Sequence, residues 1–357
     1  MNRKKRILMI EELDNNRGNK QMAMRTIGNL SKIAEVTVAS LPNWFPVLPD
    51  NVTVEEYNIT GAYKISQVTS LVRSVKHLKK ALKLDKINHY DYIFFLSYHT
   101  VAIYLAKILF REYKTRVFIT HHFNIDDLLS SSIKRFFFNR YVTKYNHFVF
   151  EPYVKDYFVL QYKVDKGKIY VLPYPKTKHE YLYQKDGEKY DCLGISSSND
   201  EKWIQEIIEK EKVERMFEKN RITLLLRSKK YEYNNGYLKV INAYFTDEEY
   251  YSLYVNANCI ILPFPKSFQY RMSGSIIDAL SNGKKAILSD IPLFRDYAKR
   301  YPSICRVGIS PDHIIEAIKK YKNEIETEQQ NDDWIRFCSD HSDENICDCL
   351  KEAFSIE

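Results

Sequence analysis

Hydrophobic positions along the chain fall into two kinds of run. Short solid runs alternate with longer ones in which apolar residues return every three or four positions. RILMIEEL, from Arg6, is a short solid run and predicts a buried first strand. MAMRTIGNLSKIA follows, with Met22, Ile27 and Leu30 near one face, and predicts a helix. EVTVASL predicts the next strand. ISQVTSLVRSVKHLKKALK predicts a helix, with Val68, Leu71, Val72, Val75, Leu78 and Leu82 at helical spacing. YDYIFFLSY, TVAIYLAKILFREY, RVFITHH and SIKRFFFNRYVTKY continue as strand, helix, strand and helix, and HFVFEPY and KIYVLPYP are strand-like.

The rhythm breaks at VLPYPKTKHEYLYQKDGEKY, where Pro173 and Pro175 precede a polar stretch without periodicity. Such composition marks a linker. The alternation then restarts. YDCLGIS is a strand, DEKWIQEIIEKEKVERMFE a helix, and RITLLLRS and YLKVINAYF strands. TDEEYYSLYVNA is a helix opened by a Thr246–Glu249 capping box, followed by the strand NCIILPF. After SIIDALSNG, a short helix, comes KKAILSD as another strand, and the tail DDWIRFCSDHSDENICDCLKEAF predicts one or two helices. Alternating strands and helices specify a parallel, doubly wound sheet, here twice over. The expected organisation is α/β: an N-terminal domain over 1–175, a linker over 176–190, a second domain over 191–330, and a helical tail over 331–357 that packs back on the first domain. A length of 357 residues agrees, being too great for one typical core.

Composition narrows the possibilities. A formal charge of +8 suits an anionic small molecule, an anionic membrane or nucleic acid. No apolar run is long enough for a transmembrane helix, and the apolar part of the N-terminus is too short for a signal-peptide core. The 6 cysteines show no metal-binding CxxC pair, which predicts reduced thiols in a cytoplasmic protein. No group of His, Asp and Glu has metal-ligand spacing, so neither metal nor cofactor is expected.

Glycine is scarce, with 10 in the chain, yet YRMSGSIIDALSNGKKAILSD (270–290) holds two of them. Ser273-Gly274-Ser275 precedes the short helix, and Gly283 stands at its end. A glycine-containing turn at a helix N-terminus suits an anion, because unpaired N–H groups point at it. Asp278 lies one turn further on and, roughly 200° around the helix from Ile276 and Leu280, should face away from the core. Phosphate donors followed by an acid that can accept ribose hydroxyls make a nucleotide site. On pattern alone, a serine-capped helix with a solvent-facing Asp278 fits as well.

The stretch resembles the donor-site signature of GT-B glycosyltransferases, above all the family 4 bacterial sugar transferases. DALSNGKKAILSDIP follows the second half of that signature, with Asp278 at its second acid; the first acid falls at Tyr270, and Arg271 is a substitute contact of opposite charge. The resemblance implies two Rossmann-like domains facing across a cleft. It also implies transfer of a hexose from a nucleotide-diphosphate sugar, UDP-linked, to a glycan or lipid-linked oligosaccharide in bacterial surface polysaccharide synthesis. LGISSSNDEKWIQEII stands where the family has its diphosphate motif, with Lys202 as a loose match. Arg227 and Lys229, with Lys230, end a strand and can neutralise a diphosphate. Gly18 in NNRGNKQ stands in place of the family's glycine-bearing loop. His121 and His122 end a strand where the family places a histidine near the reacting sugars. Strand alternation should turn one of them toward the cleft, His121 being favoured. Asp126 or Asp127 is the alternative base for an inverting reaction, and His99 an acceptor-side residue. The competing reading is a catalytically silent GT-B-like subunit that binds a partner or glycan. It is motivated by the missing first acid and the missing arginine of the diphosphate motif. LVRSVKHLKKALK and IKRFFFNRY combine basic and apolar residues and suggest peripheral contact with an anionic membrane at the inner face of the plasma membrane. No nucleic-acid-binding module is present, and nucleic acid is not an expected partner.

Overall fold

The computed structural model describes residues 3–12, 17–57, 67–106, 116–177, 188–323 and 327–357. The chain divides into two units. One comprises Met1–Pro175, Tyr270–Met272 and His341–Glu357, the other Lys176–Gln269 and Ser273–Asp340.

The first unit runs β1 (Arg6–Ile10), α1 (Arg17–Ile33), β2 (Glu35–Ser40), β3 (Val52–Glu56), α2 (Gln67–Asn88), β4 (Tyr92–Phe95), α3 (Thr100–Ala106) and β5 (Val117–Thr120). It continues with α4 (Asn124–Ser130), α5 (Ser132–Asn139), β6 (Asn146–Val149), α6 (Pro152–Tyr162) and β7 (Ile169–Val171). Its seven strands pair in the order β3-β2-β1-β4-β5-β6-β7, all parallel. Ile7 to Ile10 of β1 are buried, as the solid apolar run requires of a strand covered on both faces.

The second unit runs β8 (Tyr190–Gly194), α7 (Glu201–Glu214), α8 (Met216–Asn220), β9 (Leu224–Arg227), β10 (Tyr233–Asn234), β11 (Leu238–Ile241), α9 (Asp247–Val255) and β12 (Ala257–Leu262). Then come α10 (Gly274–Ser281), β13 (Lys285–Leu288), α11 (Pro292–Arg300), β14 (Cys305–Val307), α12 (Ile314–Asn323) and α13 (Glu328–Asp340). The strand order is β10-β11-β9-β8-β12-β13-β14, with β10–β11 the antiparallel pair. A Cβ on Gly194 would stand 2.7 Å from Leu226 and 2.8 Å from Ile261 on the flanking strands, so β8 passes between β9 and β12 because that position is glycine.

The tail divides. α13 stays in the second unit, where Tyr301 donates to Asp340 at 2.6 Å and the Ser303 amide to Asp333 at 2.8 Å. α14 (Asp343–Phe354) belongs to the first. Its Phe354 packs on Tyr92, Phe94, Phe118 and Phe148, at centroid distances of 5.2, 5.7, 4.6 and 5.8 Å. Of the expected linker 176–190, residues 178–187 lie outside the described residues.

Several elements differ from their sequence signals. The alternating pattern between HFVFEPY and KIYVLPYP conceals α6, whose Pro152 occupies the first helical turn, where a missing N–H costs nothing. The helix expected over 200–218 is broken at Arg215, which adopts φ 51° and separates α7 from α8. β3, an edge strand, shows no apolar run because its residues are mostly exposed.

Candidate functional site

In an open parallel sheet the binding crevice lies at the carboxyl ends of the two strands where the order reverses. In the second sheet these strands are β8 and β12. The chain leaves β12 through Pro263 and reaches α10, which begins at Gly274, one residue before the expected SIIDALSNG. Ser273 is its N-cap but makes no capping bond with its side chain, so its hydroxyl does not satisfy the first-turn N–H groups. Ser275 instead joins the loop after β8, its hydroxyl 3.0 Å from that of Ser196. Gly283, at φ 66°, ends the helix in the left-handed conformation that favours glycine.

Asp278, one turn into α10, is half-buried. One carboxylate oxygen accepts from the Thr177 hydroxyl, and the other from the Tyr250 hydroxyl at 3.3 Å. Tyr250 is also bonded to Tyr254 at 3.0 Å. Burial raises the pKa of both tyrosines, keeping them as hydroxyls. The acid is therefore oriented by fixed hydroxyl groups, which ribose hydroxyls resemble chemically.

Arg227 ends β9 and is buried. Its Nε donates to the Ala243 carbonyl at 2.8 Å, and the guanidinium lies 4.4 Å from the Tyr244 ring centroid. The guanidinium is thus held rigidly at a strand end. Lys229 is exposed, and its amide donates to Glu201 at 2.8 Å. Asn199 bridges the two strand ends, donating to the carbonyls of Gly194 at 2.7 Å and Arg227 at 3.0 Å. The second unit therefore brings the β8 loop together with the α10 turn and with Arg227. Lys202 stands apart from this arrangement: it is 83% exposed and lies 4.0 Å from Glu206 on its own helix. Lys202 faces solvent because it follows the Asp200 cap of α7, whose buried stripe is Trp203, Ile204, Ile207 and Ile208.

Tyr270 and Arg271 belong to the first unit. Tyr270 stacks on Tyr157 of α6 at 3.9 Å, and its amide donates to Asp126 at 2.8 Å. Arg271 pairs with the same carboxylate at 2.8 Å. Arg271 is thereby committed to a buried acid, and Asp126 to a cation rather than to work as a base. Asp127 is paired with Lys134 at 2.6 Å.

The histidines correct an expectation. β5 ends at Thr120, so strand alternation does not reach the pair, and both side chains are buried. His121 sits in a chain whose direction is fixed from one end. The Val142 carbonyl can only accept, so His147 donates to it through Nε2 at 2.6 Å. His147 Nδ1 then accepts from His121 Nε2 at 2.9 Å, and His121 Nδ1 accepts from Tyr98 at 2.9 Å. Burial holds His147 down at about 4 and His121 well below its ordinary value, so both are neutral. His122 donates to the Leu96 carbonyl at 2.9 Å. His121 has both ring nitrogens bonded within this chain, whereas His122 is bonded through Nε2 alone; together they tie the ends of β4, β5 and β6. Gly18 lies in the first turn of α1, and its surroundings lie outside the described residues.

The first sheet reverses order between β1 and β4. Glu11 and Glu12 follow β1, and Ser97 and His99 follow β4, all but His99 buried. Ser97 donates to Glu11 and accepts from the Glu12 amide at 3.2 Å, while the His99 amide donates to Glu12 Oε2 at 3.2 Å. Among the described residues Glu12 Oε1 is buried without a hydrogen-bond partner. Burial lifts Glu12 to about 8, opposed by the Ser74 hydroxyl and the His99 amide. His99 Nδ1 accepts from the Ala102 amide at 3.4 Å, which leaves the proton of the neutral ring on Nε2. The sequence signal was available: two acids stand directly after the first apolar run, where they would otherwise be read only as the end of that run.

No family model matches the chain, and no curated protein matches it. Solved structures do. Sucrose-phosphate synthase from Thermosynechococcus elongatus aligns with a TM-score of 0.67 at 11% identity, over 99% of this chain and 98% of that one. Anabaena HepE in complex with UDP aligns at 0.63 and 11%, over 98% and 99%. UDP-N-acetylglucosamine 2-epimerase from Rickettsia bellii aligns at 0.60 and 13%, over 99% and 97%. An epimerase among transferases shows that what is shared is architecture. Along nearly its whole length, the chain has the two-unit α/β fold of GT-B glycosyltransferases.

Proposed function

We propose that this protein is a glycosyltransferase that moves a hexose from a nucleotide-diphosphate sugar, UDP-linked, to a glycan or lipid-linked oligosaccharide in bacterial surface polysaccharide synthesis. One observation carries the reading. At the order-reversal point of the second sheet, the serine–glycine turn opening α10 stands beside the β8 loop, one turn ahead of Asp278. The first-turn N–H groups of α10, with Arg227 and Lys229, would hold the diphosphate. Asp278 would accept ribose hydroxyls in exchange for those of Thr177 and Tyr250. As the acceptor hydroxyl bonds to the anomeric carbon, the bond from that carbon to the diphosphate breaks and the hydroxyl proton goes to the departing diphosphate oxygen. The leaving charge then passes to these fixed donors, so the reaction is proposed to need no metal. The acceptor is assigned to the first unit.

The test is calorimetric titration of UDP into the wild type and Asp278→Ala, with and without a chelator. Binding should survive chelation and weaken at least about tenfold in the variant, equivalent to about 1.4 kcal/mol. Equal affinities would remove Asp278 from the site. The silent-subunit reading draws on the commitment of Arg271 to Asp126 and the outward Lys202. Turnover of any nucleotide sugar would eliminate it.

A further inference from the structure

Six large apolar side chains stand exposed on consecutive helices of the first unit: Val72 and Ile87 on α2, Leu105 on α3, Leu129 on α4, and Ile133 and Phe136 on α5. Ile133 is 67% exposed, Ile87 64%, Phe136 52% and Leu105 50%. α2 packs against α3, and α3 against α5, so these helices form one continuous layer. Its exposed face is apolar and cationic together. Lys76, Lys79, Lys83 and Lys86 recur at three- and four-residue spacing along α2, between Val72 and Ile87, with Lys80 beside them. All five are exposed. Lys76, Lys79, Lys83 and Lys86 make no ion pair among the described residues. The one acid of α2, Asp85, is buried and paired with Arg116 at 3.2 Å. Arg140, which caps the end of α5, lies 4.7 Å from the Phe136 ring centroid, and no acid is present in the helix.

The structure sorts the residues of both segments. Arg73 is half-buried and acts on Glu12. Phe138 is fully buried, and Phe137 packs on Tyr104 at 4.9 Å. Phe136 and Ile133 remain outward, one helical turn apart.

We propose that the outer face of α2, α3 and α5 is a docking surface for an anionic lipid bilayer. A row of lysines without acidic partners among the described residues fits a negatively charged plane, and the exposed Ile133, Phe136 and Leu105 insert at the headgroup boundary. The aliphatic members separate this partner from nucleic acid, whose phosphates and stacked bases offer isoleucine and leucine nothing. The surface acts without insertion of a spanning helix; among the described residues none is long and apolar enough. It also stands without the transferase reading, since docking needs no donor.

The test is flotation of the full chain with phosphatidylcholine vesicles, with and without phosphatidylglycerol. The wild type should float with the anionic vesicles and not the neutral ones, and added salt should release it. Ile133→Ser/Phe136→Ser and Lys76→Gln/Lys79→Gln/Lys83→Gln should each reduce partitioning at least about tenfold. Lys320→Gln, on α12 of the second unit, should leave it unchanged. All these side chains are exposed, so circular dichroism should be unaltered. Equal binding to both vesicle types overturns the proposal. So does absence of binding, indifference to both surface variants, or a preference for RNA that the lysine variant removes while flotation persists. UDP affinity, measured on the same samples, reports separately on the donor site.

Discussion

At the residue scale, Glu12 is held against its own electrostatics. A buried carboxyl is costly to ionise, the more so with one oxygen that has no partner among the described residues, and its lift to about 8 expresses that cost. Because this value lies above the ordinary 4.5, the contribution of Glu12 to stability is full below pH 4.5 and is lost as pH rises toward 8. Glu12→Gln should therefore be more stable than the wild type at pH 8, by about 2–4 kcal/mol in urea unfolding, with the advantage vanishing near pH 4.5. His77, His122 and His147 act oppositely. Their values near 4 lie below 6.5, so their contribution is full above pH 6.5 and is lost as pH falls toward 4. That acid limb should persist in Glu12→Gln. Identical pH dependence in both proteins would show that Glu12 carries no such charge penalty. A residue whose loss stabilises the fold is one that packing alone does not explain.

At the element scale, helices with a regular apolar stripe were legible, and so were solid-run strands. α2, α7 and α10 follow their spacing, and the Thr246–Glu249 capping box forms at the start of α9. Elements whose signal depends on neighbours were not. α6 has apolar and aromatic residues on several faces because it packs on the sheet and receives Tyr270 as well. The tail is the clearest case. α13 and α14 are adjacent amphipathic helices, yet they cover different units. Phe354 caps a layer of four aromatic side chains from β4, β5 and β6. Phe354→Ala should cost about 3–5 kcal/mol in urea unfolding, the range for a buried aromatic. A loss below about 1 kcal/mol would mean that α14 is not part of the core.

At the scale of the whole molecule, two parallel sheets each place a reversal of strand order beside polar residues, but with different chemistry. The second offers N–H groups, Arg227 and an oriented acid; the first offers a buried carboxyl and a neutral histidine. If the donor binds the second alone, UDP should slow hydrogen exchange around residues 194–199, 227–229 and 273–281 and leave β1 and β4 unchanged. Protection confined to β1 and β4 would transfer the donor to the other unit. The doubly wound fold, the glycines that open and follow α10 and Asp278 as its acid were all determined by sequence alone. Periodicity, turn chemistry and capping are local, and they act within a few residues. Only tertiary structure decided that His121 is a buried link in a hydrogen-bond chain, that Arg271 belongs to Asp126, and that Glu12 matters. It also decided which of three consecutive phenylalanines meets solvent. Burial and partnership are set by segments far apart in the chain, and no spacing within one segment records them.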